Sequence, residues 1–143
     1  MKKYFSNTAT WPFGTDIALL LLRLTFGLSM IIGHGLGKGE RLFGSDPIKF
    51  ADPFGVGPEI SLVLAVFAEV ICSGLLAIGL FTRWSLIPLV ITMSTAVFII
   101  HAGDDFSGKE KALLFLMSYV ALLFTGPGKF SVDHLIGKKK AVS

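Results

Sequence analysis

Residues 60–81 read ISLVLAVFAEVICSGLLAIGLF, and this stretch decides the fold. Its twenty-two residues carry one charged side chain, Glu69. At about 1.5 Å per residue a helix of that length reaches roughly 33 Å, enough to cross a hydrocarbon core of about 30 Å. Lipid offers the backbone no hydrogen-bond partners, so an apolar run of this kind must be helical there. Three more apolar runs flank it, at about 13–32, 85–100 and 112–124, the last two short for a full crossing. Pro12 and Pro58 stand near the starts of the first two, where a missing N–H costs little, and Gly126-Pro127-Gly128 stops the last. Only Thr82, Arg83 and Trp84 separate the second run from the third, so these two must be antiparallel neighbours. The expected fold is all-α: a four-helix transmembrane bundle forming a single domain over residues 1–143.

Composition agrees with that reading. Hydrophobic residues make up 52% of the chain and charged residues 16%, with a mean hydropathy of +0.72; soluble domains carry roughly 25% charged residues. The net charge of +3 comes from basic residues at the ends of apolar runs. That placement suits anionic lipid headgroups and excludes nucleic acid, which needs a basic stripe on a polar surface. One cysteine, Cys72, excludes an internal disulfide, a CxxC pair and a cysteine-rich zinc site, and reads as a small buried hydrophobe. Lys2 and Lys3 ahead of an apolar run resemble a secretion signal. Arg23 interrupts that run, however, and no small-x-small cleavage site follows, so the segment reads as the first membrane helix.

Four crossings put the N-terminus, the Arg83 turn and the C-terminus on one side. That side holds Lys2, Lys3, Arg83, Lys129, Lys138, Lys139 and Lys140, against Lys38, Arg41, Lys49, Lys109 and Lys111 on the other. The bias predicts cytoplasmic termini. Trp11 and Trp84 then fall at the cytoplasmic interface as anchors.

Two charges stand inside the apolar runs, and each costs about 2.5–3.5 kcal/mol near the bilayer centre on insertion scales. Measured from the tryptophans, Arg23 lies about 18 Å deep and Glu69 about 22 Å, so the reading predicts a buried Arg23–Glu69 pair. Arg23, Gly27, Met30 and His34 share one helix face, as do Ala65, Glu69, Cys72 and Ser73 on the next helix. Such a pair serves either as glue that fixes helix register or as part of a ligand or proton site. Beyond it, at the non-cytoplasmic end, His34 and His101 close two helices, Asp104, Asp105, Glu110 and Lys111 follow, and Glu59 opens the second helix. The histidines suit proton exchange or simple capping of helix ends. Tyr119 either joins that cavity or is an ordinary core residue. The ligand spacing matches no recognised metal pattern, so no metal site is assigned. Phosphate loop, dinucleotide fingerprint and nucleophile elbow are all missing from the sequence.

Four motifs in order resemble the DoxX family of small bacterial membrane proteins. They are Leu22-Arg23-Leu24 with Gly27 and His34-Gly35-x-x-Lys38; Glu69 with Gly79-Leu80-Phe81-Thr82-Arg83; His101 with Asp104, Asp105, Phe106 and Glu110; and Gly126-Pro127-Gly128 with Ser131 and Asp133. The resemblance implies a four-helix protein of the bacterial inner membrane. It also implies a redox setting, since some members of that family are subunits of a thiosulfate:quinone oxidoreductase and others are linked to redox-stress complexes. Two functions follow as expectations. One is a redox-linked membrane component, in the manner of an oxidoreductase subunit, that binds a quinone-like amphiphile near the Arg23–Glu69 pair with His34 and His101 at the mouth. The alternative is a non-catalytic scaffold that docks a membrane or periplasmic partner through the polar connection 33–59, long loops often being functional. Small residues in the helices also permit a homodimer.

Overall fold

The computed structural model describes Trp11 and residues 13–142, with side chains through Lys139. Lys2, Lys3, Pro12 and the side chain of Lys140, to which the sequence assigns roles, lie outside the described residues. Among the described residues five helices form: α1 Gly14–Phe43, α2 Pro58–Ile78, α3 Thr82–Ile100, α4 Phe106–Thr125 and α5 Val132–Val142. No strand occurs among the described residues. Helices α1, α2 and α3 are long and apolar enough to cross a membrane. Lys109, Glu110 and Lys111 occupy the first turns of α4 and confine its apolar part to residues 112–125.

One core joins α1 to α4. Met30 from α1, Leu76 from α2, Leu86 and Leu89 from α3, and Leu122 from α4 are all fully buried in it. The exteriors are apolar as well: Leu21, Ile32, Ile71 and Phe98 are each more than half exposed. Exposed apolar surface on this scale marks contact with something other than water, and on helices of this length that is lipid.

Helix α1 runs eleven residues beyond the expected end at 32, which shrinks the 33–59 connection to residues 44–57. The glycines at 33, 35, 37 and 39 look like a loop because glycine costs about 1 kcal/mol in a helix interior. Packing overrides that preference. A Cβ at Gly35 would stand 2.9 Å from the Glu69 carbonyl oxygen, and one at Gly27 2.9 Å from that of Ser73, so glycine lets α1 and α2 touch backbone to backbone.

Three helices each contain one wider π turn: Ile31–Gly35 in α1, Phe67–Cys72 in α2 and Ala96–Ile100 in α3. Such insertions shift a helix face by one residue and collect at functional sites. In α1 the buried face runs Leu19, Arg23, Gly27, Met30 and then Gly35. The extra residue gives the seam to Gly35 and turns the His34 ring onto Phe115 of α4, centroids 5.7 Å apart.

Candidate functional site

The intramembrane charges are both buried, with Arg23 at 0% exposure and Glu69 at 1%, yet the expected Arg23–Glu69 pair does not form. Arg23 donates through Nη1 to the Ala77 carbonyl at 3.3 Å and through Nη2 to the Phe130 carbonyl, while Glu69 pairs with Lys38. The depth ruler fails because α2 ends at Ile78. The chain turns at residues 79–81, so Trp84 does not extend the axis of α2. Arg23 stands at the level of Ala77 and Gly79, Glu69 at the level of Gly35. Eight residues separate 69 from 77, about 12 Å along the axis.

Arg23 instead ties together the end of α2 and the segment after α4. Gly79 is the left-handed residue past the end of α2 (φ 72°), with Leu80 N bonded to Leu75 O and Gly79 N to Leu76 O. A Cβ there would lie 2.1 Å from Arg23 Nη1 and 2.6 Å from Ser131 Cβ, so no other residue fits. Asp133 accepts from Phe81 N at 2.8 Å and Thr82 N at 2.9 Å, capping α3, and its own N–H donates to Gly79 O. Burial pushes the Asp133 carboxyl up, but bonds from Thr82 and Phe81 and the Arg23 charge outweigh it and hold the group below the usual carboxylate range. At the first turn of α1, Asp16 accepts from Lys129 N. This knot is a structural clasp.

The candidate site lies toward the other end. A cavity of about 730 Å³, partly open to the surroundings, is lined by all of α1 to α4 and by the 44–57 loop, and neither Arg23 nor Asp133 lines it. Its ionisable groups are His34, Lys38, Glu69, His101 and Lys111, while Ser61, Thr92, Thr95 and Ser107 add hydroxyls, and most of the remaining wall is apolar, with Ala65, Ala68 and Phe115 among it. Lys38 bonds one carboxylate oxygen of Glu69 and lies 5.8 Å from the Phe50 ring centroid. The other oxygen, Glu69 Oε2, is buried without a hydrogen-bond partner among the described residues. Glu69, Lys38 and Lys111 share the cavity wall with His34. Lys111 has no carboxylate within ion-pair distance among the described residues.

The 44–57 loop covers the end of the cavity away from the clasp. Asp52 accepts from Val56 N, Gly57 N and Ser61 Oγ at 2.8–3.0 Å, which fixes the loop to the first turn of α2 and sets Phe50, Pro53 and Phe54 against the cavity. The Ser61 hydroxyl first, then the Gly57 amide, hold the Asp52 carboxyl below its ordinary range.

Of the expected site residues, His34, Glu69 and His101 line the cavity. His101 Nδ1 stands 2.7 Å from Asp104 Oδ2, so Asp104 reaches the site only through the histidine. Asp105 is exposed at the start of α4 and does not line it. Tyr119 is fully buried beneath it, its hydroxyl 3.3 Å from the Phe26 carbonyl. Arg23 belongs to the clasp. Among the described residues no three His, Cys, Asp or Glu side chains converge as a metal would need. Lys38 is the cavity residue that the sequence reading names as a motif and loop residue but does not place at the site. It lies four positions beyond His34 and so continues the face of Arg23, Gly27, Met30 and His34, but the glycines around it read as a loop.

The DoxX family model matches residues 18–102, which include α2, α3 and most of α1. An uncharacterized protein of Haemophilus influenzae is 32% identical over 132 residues, 87% of each chain, and a second from the same organism is 31% identical, covering 85% of this chain and 92% of its own. An uncharacterized membrane protein of Mycobacterium tuberculosis is 29% identical, covering 73% of this chain and 66% of its own. No solved structure matches.

Proposed function

The chain belongs to the DoxX family of membrane proteins, and on that footing we propose that it binds a quinone-like, bilayer-borne amphiphile in the cavity between its helices. The cavity carries the reading. Its volume falls inside the roughly 300–1,000 Å³ range of small-molecule sites, and a few polar groups converge on an otherwise apolar wall. Leu64, Phe67 and Ile91 line it and are each about half exposed, which supports a side entrance from lipid between α2 and α3. A ligand of mixed character enters tail and ring from the membrane and brings its polar head to Lys38, Glu69 and His34. His101 and Lys111 stand at the mouth.

In this reading α1 to α4 cross the bacterial inner membrane as one four-helix bundle within a single domain, with both termini cytoplasmic. The basic count of seven against five supports the orientation. The cavity then faces the periplasmic half, and the protein serves as the membrane subunit of a quinone-linked oxidoreductase, supplying binding and proton exchange through His34 and Glu69. The 44–57 loop acts as the lid of that site.

The test is a melting-temperature titration of purified protein with decylubiquinone and its reduced form. Stabilisation is expected in the wild type, weakened in Glu69→Gln and Lys38→Met and kept in Arg23→Lys. The proposal fails if neither compound shifts the melting temperature.

A further inference from the structure

The Glu69 carboxylate is satisfied on one side only. Lys38 bonds Oε1, while Oε2 has no partner and the residue is 1% exposed. A buried acceptor left without a donor costs about 1–3 kcal/mol, more when charged. Glu69 also lines the cavity, and rotation about the last bond of a glutamate side chain is soft, so the free oxygen turns readily toward a ligand. The π turn Phe67–Cys72 carries Glu69 and so fixes its backbone at the wall.

From this we infer that the ligand head is a neutral hydroxyl, which donates its proton to Glu69 Oε2 and accepts from Lys38 Nζ. The inference rests on the proposed amphiphile cavity and narrows its ligand class. The surrounding charges select the head group. A cationic head meets Lys38 and Lys111, both lining the same cavity, and an anionic head meets the Glu69 carboxylate directly. A head with acceptors alone leaves Oε2 as it was. A hydroxyl satisfies both partners at once, because one oxygen carries a donor and lone pairs. Lys38 has the capacity, since an ammonium has three donors and only one is engaged by Glu69.

The same head chemistry is found on a ring hydroxyl or on the glycerol of a neutral lipid, and the experiment separates them. Protein in phosphatidylcholine nanodiscs, whose lipid has no hydroxyl, is titrated with 4-nonylphenol, with its methyl ether 4-nonylanisole, and with monoolein. The phenol and ether share size and apolar tail and differ in the donor. The phenol is expected to bind about tenfold tighter than the ether or better, the order one hydrogen bond to a charged acceptor supplies. Glu69→Gln, whose amide turns a donor toward the ligand, is expected to erase that ratio. Monoolein outcompeting the phenol assigns the hydroxyl to a lipid and still supports the inference. Equal binding of phenol and ether by the wild type overturns the inference but leaves the amphiphile cavity standing. No binding of any of the three overturns both. The wild-type comparison decides the matter even if the variant fails to fold.

Discussion

Phe81 holds φ at 49°, a left-handed conformation that costs an ordinary side chain about 1–2 kcal/mol. The Asp133 carboxylate sustains it by accepting from Phe81 N and Thr82 N, so the α2–α3 turn is held from a distant part of the chain. Replacing Asp133 with alanine should lower stability by about 1–3 kcal/mol, the range for hydrogen bonds to a charged group, read as a drop in melting temperature. The pH sign follows from the folded carboxyl lying below its unfolded value. The stabilisation is then fully present above about pH 4 and is lost as pH falls through the lower folded value. Asp133→Asn should therefore flatten the acid limb of the melting-temperature profile. An unchanged limb would show that the carboxylate does not hold the turn. Arg23→Lys makes the companion case: lysine lacks the fork that reaches Ala77 O and Phe130 O together, so melting temperature should fall while ligand binding at the far cavity stays. Loss of binding with intact stability would make Arg23 a ligand residue and dissolve its part in the clasp.

At the scale of elements, α1 and α2 behave as one unit because glycine sets their spacing. Gly35→Ala places a methyl 2.7 Å from Val70 Cγ2 and 2.9 Å from the Glu69 carbonyl, and a backbone neighbour gives way poorly. The variant should lose about 1–3 kcal/mol, as overpacked cores do, and should loosen ligand binding because Glu69 is displaced with its backbone. Gly33→Ala, with nothing within 4 Å, is the control: it should keep ligand binding and leave stability unchanged or raised by up to about 1 kcal/mol, the helix preference of alanine over glycine. A silent Gly35→Ala would mean that the seam is not tight. These positions also show what is legible from sequence. Apolar runs mark the helices, and spacings of three and four mark the buried faces, since Ala65, Glu69, Cys72 and Ser73 are all buried. The end of α1 is not legible, because glycine inserted for close approach looks the same as glycine inserted for a turn. That ambiguity hides Lys38, and Arg23 is then the only cation left to neutralise Glu69. Helix α5 escapes for another reason: its Lys138, Lys139 and Lys140 read as a basic tail suited to lipid headgroups, which carries no helix signal.

Across the whole molecule the sequence motifs sort by end. The Arg23 segment, Gly79 to Arg83, and Gly128 to Asp133 meet in the clasp, while His34, Lys38, Glu69 and His101 meet around the cavity. A clasp at one end and a polar-headed cavity at the other make physical sense if a membrane gives the two ends different surroundings. That arrangement requires α4 to cross as well, although its apolar part is confined to residues 112–125. Its burial of Phe115, Leu116, Tyr119 and Leu122 against the common core keeps it in line with the longer helices. Labelling settles it, with buried Cys72 giving little background. Ser45→Cys, Gly103→Cys and Lys138→Cys each place a thiol at an exposed position, the first two in loops near the cavity and the third on α5. A membrane-impermeant maleimide added to spheroplasts should modify positions 45 and 103 but reach 138 only after lysis. Residues 45 and 103 are separated by α2 and α3, so labelling of just one of them would mean that one of those helices fails to cross. Residues 103 and 138 are separated by α4 among the candidate spans, so labelling of both from outside would take α4 out of the membrane and the four-helix bundle with it.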